Sequence, residues 1–158
     1  MFRTMTRFKQ QISKEDCIQV LREQLRGVLS LIGDEGYPYG LPINHYYNEE
    51  DGCLYFHSGK TGHKIDAMKK CGKASFCVFD EGCRKEGQWA LNIKSVIVFG
   101  RIEMVEDRET IYDISRRLSH KFTRDEAYIE HEILHSGPAT LMFRLRPEHM
   151  TGKLVNEA

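Results

Sequence analysis

The sequence lacks the long hydrophobic runs of a membrane protein, and it lacks an excess of either charge. No apolar stretch approaches the roughly 20 residues that a membrane-spanning helix needs, and the first residues contain no signal-peptide core. Lys and Arg together number 23, as do Asp and Glu, so the overall charge does not favour nucleic acid or an anionic membrane as a partner. These absences predict a cytoplasmic protein with no nucleic-acid or membrane partner.

The cysteines also lack a pattern that would pair them. They form an odd set with no C-x-x-C motif, and without an export signal we expect free thiols. Cys71, Cys77 and Cys83 recur at six-residue steps, which is not a usual spacing for zinc ligands. We therefore expect no metal at these positions, which are Cys17, Cys53, Cys71, Cys77 and Cys83.

Length and composition indicate a single globular domain that covers residues 1–158. The chain is long enough for a substantial core but short for a two-domain enzyme. Hydrophobic residues make up 41% and charged residues 29%, which is typical of a globular protein.

Apolar periodicity predicts six strands with helices between them. Strands and helices do not alternate as they would around a parallel sheet. The chain is therefore predicted to be mostly β with some α: a six-stranded antiparallel split β-barrel with helices packed outside it. The predicted strands are 28–32, 41–47, 53–57, 74–79, 89–105 and 140–145, and the predicted helices are 13–26, 65–68, 106–122 and 125–135.

The second predicted strand forms a meander with its neighbours and carries a proline. Pro42 cannot donate to a strand ladder, so it marks an edge, a bulge or a position next to a ligand. Gly100 similarly predicts a bulge or bend in the long fifth strand. One face of the second strand is predicted to contain Leu41, Ile43, His45 and Tyr47.

The stretch 55–70 passes from a strand through a glycine-rich turn into a helix. Gly59 and Gly62 allow backbone N–H groups to converge, and Lys60 and Lys64 add positive charge, which together can hold a phosphate. A basic surface loop without a ligand is the alternative. A P-loop is excluded because Leu54 stands where that motif needs glycine, and no G-x-G-x-x-G frame is present.

A zinc-peptidase motif, H-E-x-x-H, is present at residues His131 to His135. On a helix it would place two imidazoles on one face beside a general base. However, Gly137-Pro138 should end that helix where a peptidase helix continues, and the next downstream carboxylates are Glu148 and Glu157. We expect no metal there, and a zinc peptidase remains a remote alternative.

Four segments in register resemble one protein family. The sequence is similar to the FMN-binding split-barrel proteins related to pyridoxamine 5′-phosphate oxidase, and within them to the nitroimidazole-resistance (Nim-type) reductases. The arginines with which pyridoxamine phosphate oxidases bind phosphate and substrate are not found, so oxidation of vitamin B6 is not expected. The segments that carry the resemblance are 36–44, 54–64, 94–100 and 146–153.

The resemblance implies where a flavin ring would lie. The backbone at Pro42, Ile43 and Asn44 would run beside the isoalloxazine ring, and His57 and Ser58 would lie near the ring and the ribityl chain. His57 is also the candidate catalytic residue, which would protonate or orient a substrate. A histidine that only hydrogen-bonds to the flavin or to backbone is the alternative.

The resemblance also implies a phosphate site, a dimer and a reaction. Two chains would form a homodimer with the flavin at their interface. The expected activity is FMN-dependent reduction of a small molecule, such as a nitroaromatic compound, with NADH or NADPH as a donor. A non-catalytic flavin- or haem-binding module is the alternative. The phosphate contacts would come from Lys60, Gly62, His63 and Lys64, and further flavin contacts from Ser95 and Val96.

Overall fold

The computed structural model describes residues 1–156, which form one antiparallel sheet curled into a split barrel. The strands are β1 (Arg26–Ile32), β2 (Pro38–Asn44), β3 (Tyr46–Asn48), β4 (Cys53–Gly59), β5 (Lys73–Phe79), β6 (Cys83–Arg84), β7 (Leu91–Val105) and β8 (Thr140–Asn156). Seven of them follow the order β2-β1-β5-β7-β8-β4-β3, and the two-residue β6 pairs with β7.

The predicted antiparallel split barrel is confirmed, but the predicted count of six strands is wrong. The second predicted strand is divided at His45 into β2 and β3. Of these, β2 pairs with β1 and β3 pairs with β4, so each part keeps the neighbour that the predicted meander gave it. The last strand continues past Leu145 because the long β7 pairs with it as far as Asn156. The predicted bulge at Gly100 is confirmed by a register shift between Phe99 and Gly100.

Four helices lie outside the sheet: α1 (Lys14–Glu23), α2 (His63–Lys70), α3 (Arg108–Ser119) and α4 (Glu126–Ser136). Three have a polar N-cap, in which the side chains of Ser13, Asp107 and Asp125 accept hydrogen bonds from backbone N–H groups of the first turn. Within residues 1–156, no helix has the length and apolar character needed to cross a membrane.

Alternate residues of β4 contribute to two separate cores. Phe56 points into the barrel, where its ring centroid lies 5.3 Å from that of Phe76 and 5.2 Å from that of Phe143. Tyr55 points the other way, into a smaller cluster that includes Ile114 of α3. By the same alternation, the next residue on the Tyr55 side is His57.

His45 joins the two edges of the sheet and is fully buried. Its Nε2 donates a hydrogen bond to Leu21 O at 2.7 Å, while Lys121 Nζ donates to the carbonyl oxygens of His45 (3.0 Å) and Gln24 (2.6 Å). Burial, together with the charge of Lys121, lowers the pKa of His45 to about 3. Burial also lowers the pKa of Lys121 to about 8. The folded protein therefore holds His45 in its neutral form.

This burial predicts that the protein loses stability as the pH falls. The unfolded chain protonates His45 below its ordinary pKa of 6.5, whereas the folded chain does so only near 3. The free energy of unfolding should therefore decrease between these values as acid is added, by up to about 1.4 kcal/mol per pH unit from this residue. Urea unfolding at several pH values should show that the free energy of unfolding depends less steeply on pH in His45→Gln than in the wild type. The exposed His131→Gln should keep the wild-type slope, and an unchanged slope in His45→Gln would contradict the prediction.

Candidate functional site

Two cavities meet at His57. The first has a volume of about 280 Å³ and is lined by Arg26, Pro42, Ile43, Asn44 and His57. The second has a volume of about 260 Å³ and lies between β4 and the helices α3 and α4. Four residues predicted from the sequence are therefore brought together in the first cavity.

The register of the β1–β2 hairpin builds the first cavity. Arg26 lies opposite Asn44 and donates a hydrogen bond from Nε to Asn44 Oδ1 at 3.2 Å, and Val28 lies opposite Pro42. Because β2 is an edge strand, Pro42 occupies one of the few sheet positions that need no ladder donor. Arg26 was not predicted from the sequence. Its position follows from the hairpin register, which could have identified it.

The glycine-rich turn leads directly into α2. Gly62 has φ +111°, a conformation that side chains rarely adopt, and a Cβ placed there would meet no atom within 4 Å. The N–H groups of Ile65 and Asp66 bond to Gly62 O, so the N–H groups before them have no acceptor in the helix. This turn is open, positively polarised and adjacent to β4.

Lys64 is the cation that this turn leaves without a partner. Its side chain is half-buried, and within residues 1–156 its ammonium group makes no hydrogen bond or ion pair. Burial lowers the pKa of Lys64. The pKa of His57 is also lowered, first by desolvation from the surrounding atoms and second by the charge of Lys64. His57 is nevertheless open to solvent on the cavity side.

Other predicted phosphate ligands already have partners. Lys60 Nζ donates to Pro138 O at 2.5 Å. The His63 ring stacks on Tyr39 at 4.1 Å between centroids, and its Nε2 lies 3.6 Å from Asp34 Oδ2. The structure thus distinguishes Lys64 from the other two basic side chains. Next to the turn, the hydroxyl of Ser58 donates to Gly59 O at 3.0 Å.

The structure does not bring Ser95 and Val96 to the first cavity. Neighbouring strand residues point to opposite sides of the sheet. Val96 is fully buried in the barrel core, so its side chain is not accessible to a ligand. Ser95 lies on the outer face of β7, in a depression that also contains Ile97 and Phe99.

The H-E-x-x-H motif lies on α4, which ends at Ser136. The rings of His131 and His135 stack on the exposed side of the helix with centroids 5.7 Å apart, whereas Glu132 lines the second cavity. Within residues 1–156, no three His, Cys, Asp or Glu side chains are grouped to hold a metal ion. Glu157 lies outside the described residues.

The proximity of Lys64 to His57 predicts a measurable coupling. Removing the positive charge with Lys64→Gln should raise the pKa of His57, because a cation disfavours the imidazolium form. The titration can be followed by NMR from the imidazole C–H shifts. Lys60→Gln is the matched control, since that ammonium group is bonded to Pro138, and it should leave the His57 titration unchanged. Equal effects of the two substitutions would contradict the geometry.

The fold is shared with several solved structures. A candidate 5-nitroimidazole antibiotic resistance protein from Bacteroides thetaiotaomicron is 19% identical over 92% of this chain and 87% of that one, with a TM-score of 0.74. An FAD-binding protein from Mesorhizobium loti is 24% identical over 92% of this chain and 96% of that one, with a TM-score of 0.64. An FAD- and haem-binding protein from Mycobacterium smegmatis is 20% identical over 94% of this chain and 74% of that one, with a TM-score of 0.72. At these identities the similarity establishes the fold.

The sequence alone places the chain in a family. No curated protein matches it significantly in sequence. The model of the family described as pyridoxamine 5′-phosphate oxidase, however, matches residues 13–154, which is most of the chain. This protein therefore belongs to the pyridoxamine 5′-phosphate oxidase family.

Proposed function

We propose that the protein is an FMN-dependent reductase of a small molecule, with nitroaromatic compounds as candidate substrates. The observation that carries this proposal is the unpartnered, half-buried Lys64 in the first turn of α2, whose charge acts on His57 in the wall of the first cavity. The family and the flavin-binding proteins that share the fold support the same interpretation. The nitroimidazole-resistance protein that shares the fold supports nitroaromatic compounds as the substrate class.

The residues present fit a flavin with a terminal phosphate. A phosphate dianion requires positive charge and N–H donors, which Lys64 and the first turn of α2 provide. The open space at Gly62 gives the phosphate access to the backbone. The first cavity, beside Pro42, Ile43 and Asn44, would receive one edge of the ring.

When bound, the flavin would supply the electron-transfer chemistry, with NADH or NADPH as the donor. The chain's own contribution is to position the reactants and to manage a proton. Because its pKa is lowered, His57 is mostly neutral near pH 7, and its ring N–H can donate a hydrogen bond to the substrate. Arg26 adds a positive charge to the wall of the first cavity, where it would favour an acceptor group such as a nitro oxygen.

A homodimer is also part of the proposal. Val28, Cys77, Ile97 and Thr151 lie side by side across β1, β5, β7 and β8, and Pro42 extends this row onto β2. Val28 and Ile97 are each 39% exposed, so this outer face presents apolar area that a second copy could cover. Ser95 lies on the same outer face, so its predicted flavin contact would be made across the interface.

A flavin or haem carrier without turnover is the second candidate, because the Mycobacterium smegmatis relative binds both FAD and haem. The absorption spectrum separates these cofactors, since haem gives a Soret band. Chromatography of the released cofactor separates FMN from FAD. A reductase should reduce bound FMN with NADH or NADPH and reoxidise it anaerobically with a nitro compound. A carrier should not complete this cycle.

The phosphate assignment predicts that Lys64→Ala weakens FMN binding about 10- to 100-fold, as expected for loss of a charged hydrogen-bond donor. The affinity can be measured by quenching of FMN fluorescence. Lys69→Ala removes an exposed lysine near the other end of α2 and should bind FMN like the wild type. A wild-type protein that stays colourless after incubation with FMN would refute the proposal.

The dimer predicts that a charge on the outer face separates the subunits. Ile97→Lys should shift the protein from dimer to monomer in sedimentation velocity, because it buries an unpaired ammonium group in an apolar interface. It should also weaken FMN binding if the site spans two chains. Leu134→Lys, at an apolar residue that is 75% exposed on α4, is the matched control and should remain dimeric. A monomeric wild-type protein would contradict this part of the proposal.

A further inference from the structure

The second cavity has the walls of a binding site. Three isoleucines, Ile111, Ile129 and Ile133, provide its apolar surface, and five hydroxyl-bearing side chains also line it. An apolar surface with a small number of polar groups is the composition typical of small-ligand sites. The volume of about 260 Å³ is below the range of roughly 300–1,000 Å³ typical of drug-sized ligands, so a ligand must be small.

Glu132 gives this cavity its charge. It is the one acidic or basic side chain, apart from His57, among the described residues that line the cavity. Its carboxylate is half-buried and accepts a hydrogen bond from Ser136 Oγ at 3.3 Å. The Glu132 side chain is 44% exposed, and His131 Nδ1 lies 3.7 Å from Glu132 Oε1. A carboxylate beside an apolar surface favours a cation or an N–H donor as its ligand.

His57 connects this cavity with the proposed flavin site. It lies in the wall of both cavities, so a small molecule bound in the second cavity would reach the same imidazole as a ring in the first. The two cavities differ in charge, since Arg26 lines the first and Glu132 the second.

We propose that the second cavity binds a small aromatic ring carrying an amidine or amine, with the charged group on Glu132 and the ring between the isoleucines of α3 and α4. This inference rests on the proposed function, whose nitroaromatic substrates it narrows to those that also carry a cationic group. Amidinium groups pair with carboxylates through two parallel N–H···O bonds.

Benzamidine is the probe, and isothermal titration calorimetry on the full chain with FMN present measures its binding. Benzamidine should bind, whereas benzoate, which has the same shape and the opposite charge, should not. Glu132→Gln should weaken benzamidine binding about tenfold or more, as expected for loss of a charge-assisted pair. The exposed Glu109→Gln on α3 is the charge-matched control and should bind like the wild type. Ser115→Leu, which fills the cavity from α3, should block the probe without changing any charge.

The outcomes separate this inference from the flavin assignment. FMN affinity, measured by fluorescence on the same samples, should be unchanged in Glu132→Gln and Ser115→Leu. Benzamidine binding without FMN binding would leave the cation site in place and remove the proposed reductase. Equal binding of benzamidine and benzoate, equal binding to wild type and Glu132→Gln, or no binding of benzamidine at millimolar concentration would each overturn the cation site.

Discussion

The passage of the chain through His45 is the constraint on which the architecture depends. β2 and β3 are the two ends of the strand order, yet a single residue joins them, so the sheet must curl until its edges meet. No solvent reaches that residue, and bonds from its ring to Leu21 and from Lys121 to its carbonyl hold the junction. The curl brings β2 next to β4, which is why residues distant in sequence line one cavity at His57.

The same curl gives β4 two faces with different roles. Phe56 completes the aromatic core inside the barrel, whereas Tyr55 and His57 face the helices. A residue at the end of such a strand is crowded by the sheet but still open to solvent. This position explains a histidine that is desolvated enough to stay neutral and exposed enough to contact a ligand. Lys64 lies close to it for the same topological reason, since β4 leads directly into α2.

Most of the fold could be predicted from the sequence because its strands alternate clearly and three of the four helices have polar caps. The division of the second strand could not, because Leu41, Ile43, His45 and Tyr47 keep the same phase across the break, and only long-range pairing separates β2 from β3. The extension of β8 was missed because Pro147 and Gly152 suggest a loop. Pro147 is tolerated there because it lies at the bulge of β8, where Glu148 is left unpaired opposite Phe99 and Gly100. Arg26 was missed because its role depends on a partner strand.

The H-E-x-x-H motif shows how the fold can give a sequence pattern a different meaning. Residues four apart on a helix share a face, so His131 and His135 stack together, and the intervening Glu132 is rotated by about 100° to another side. In a zinc peptidase the histidine face would turn toward the active-site cleft. Here α4 packs on α3 with the histidines in solvent and Glu132 in the cavity wall. Glu132 therefore lines the same cavity as His57 of β4, and the local motif contains no information about this juxtaposition.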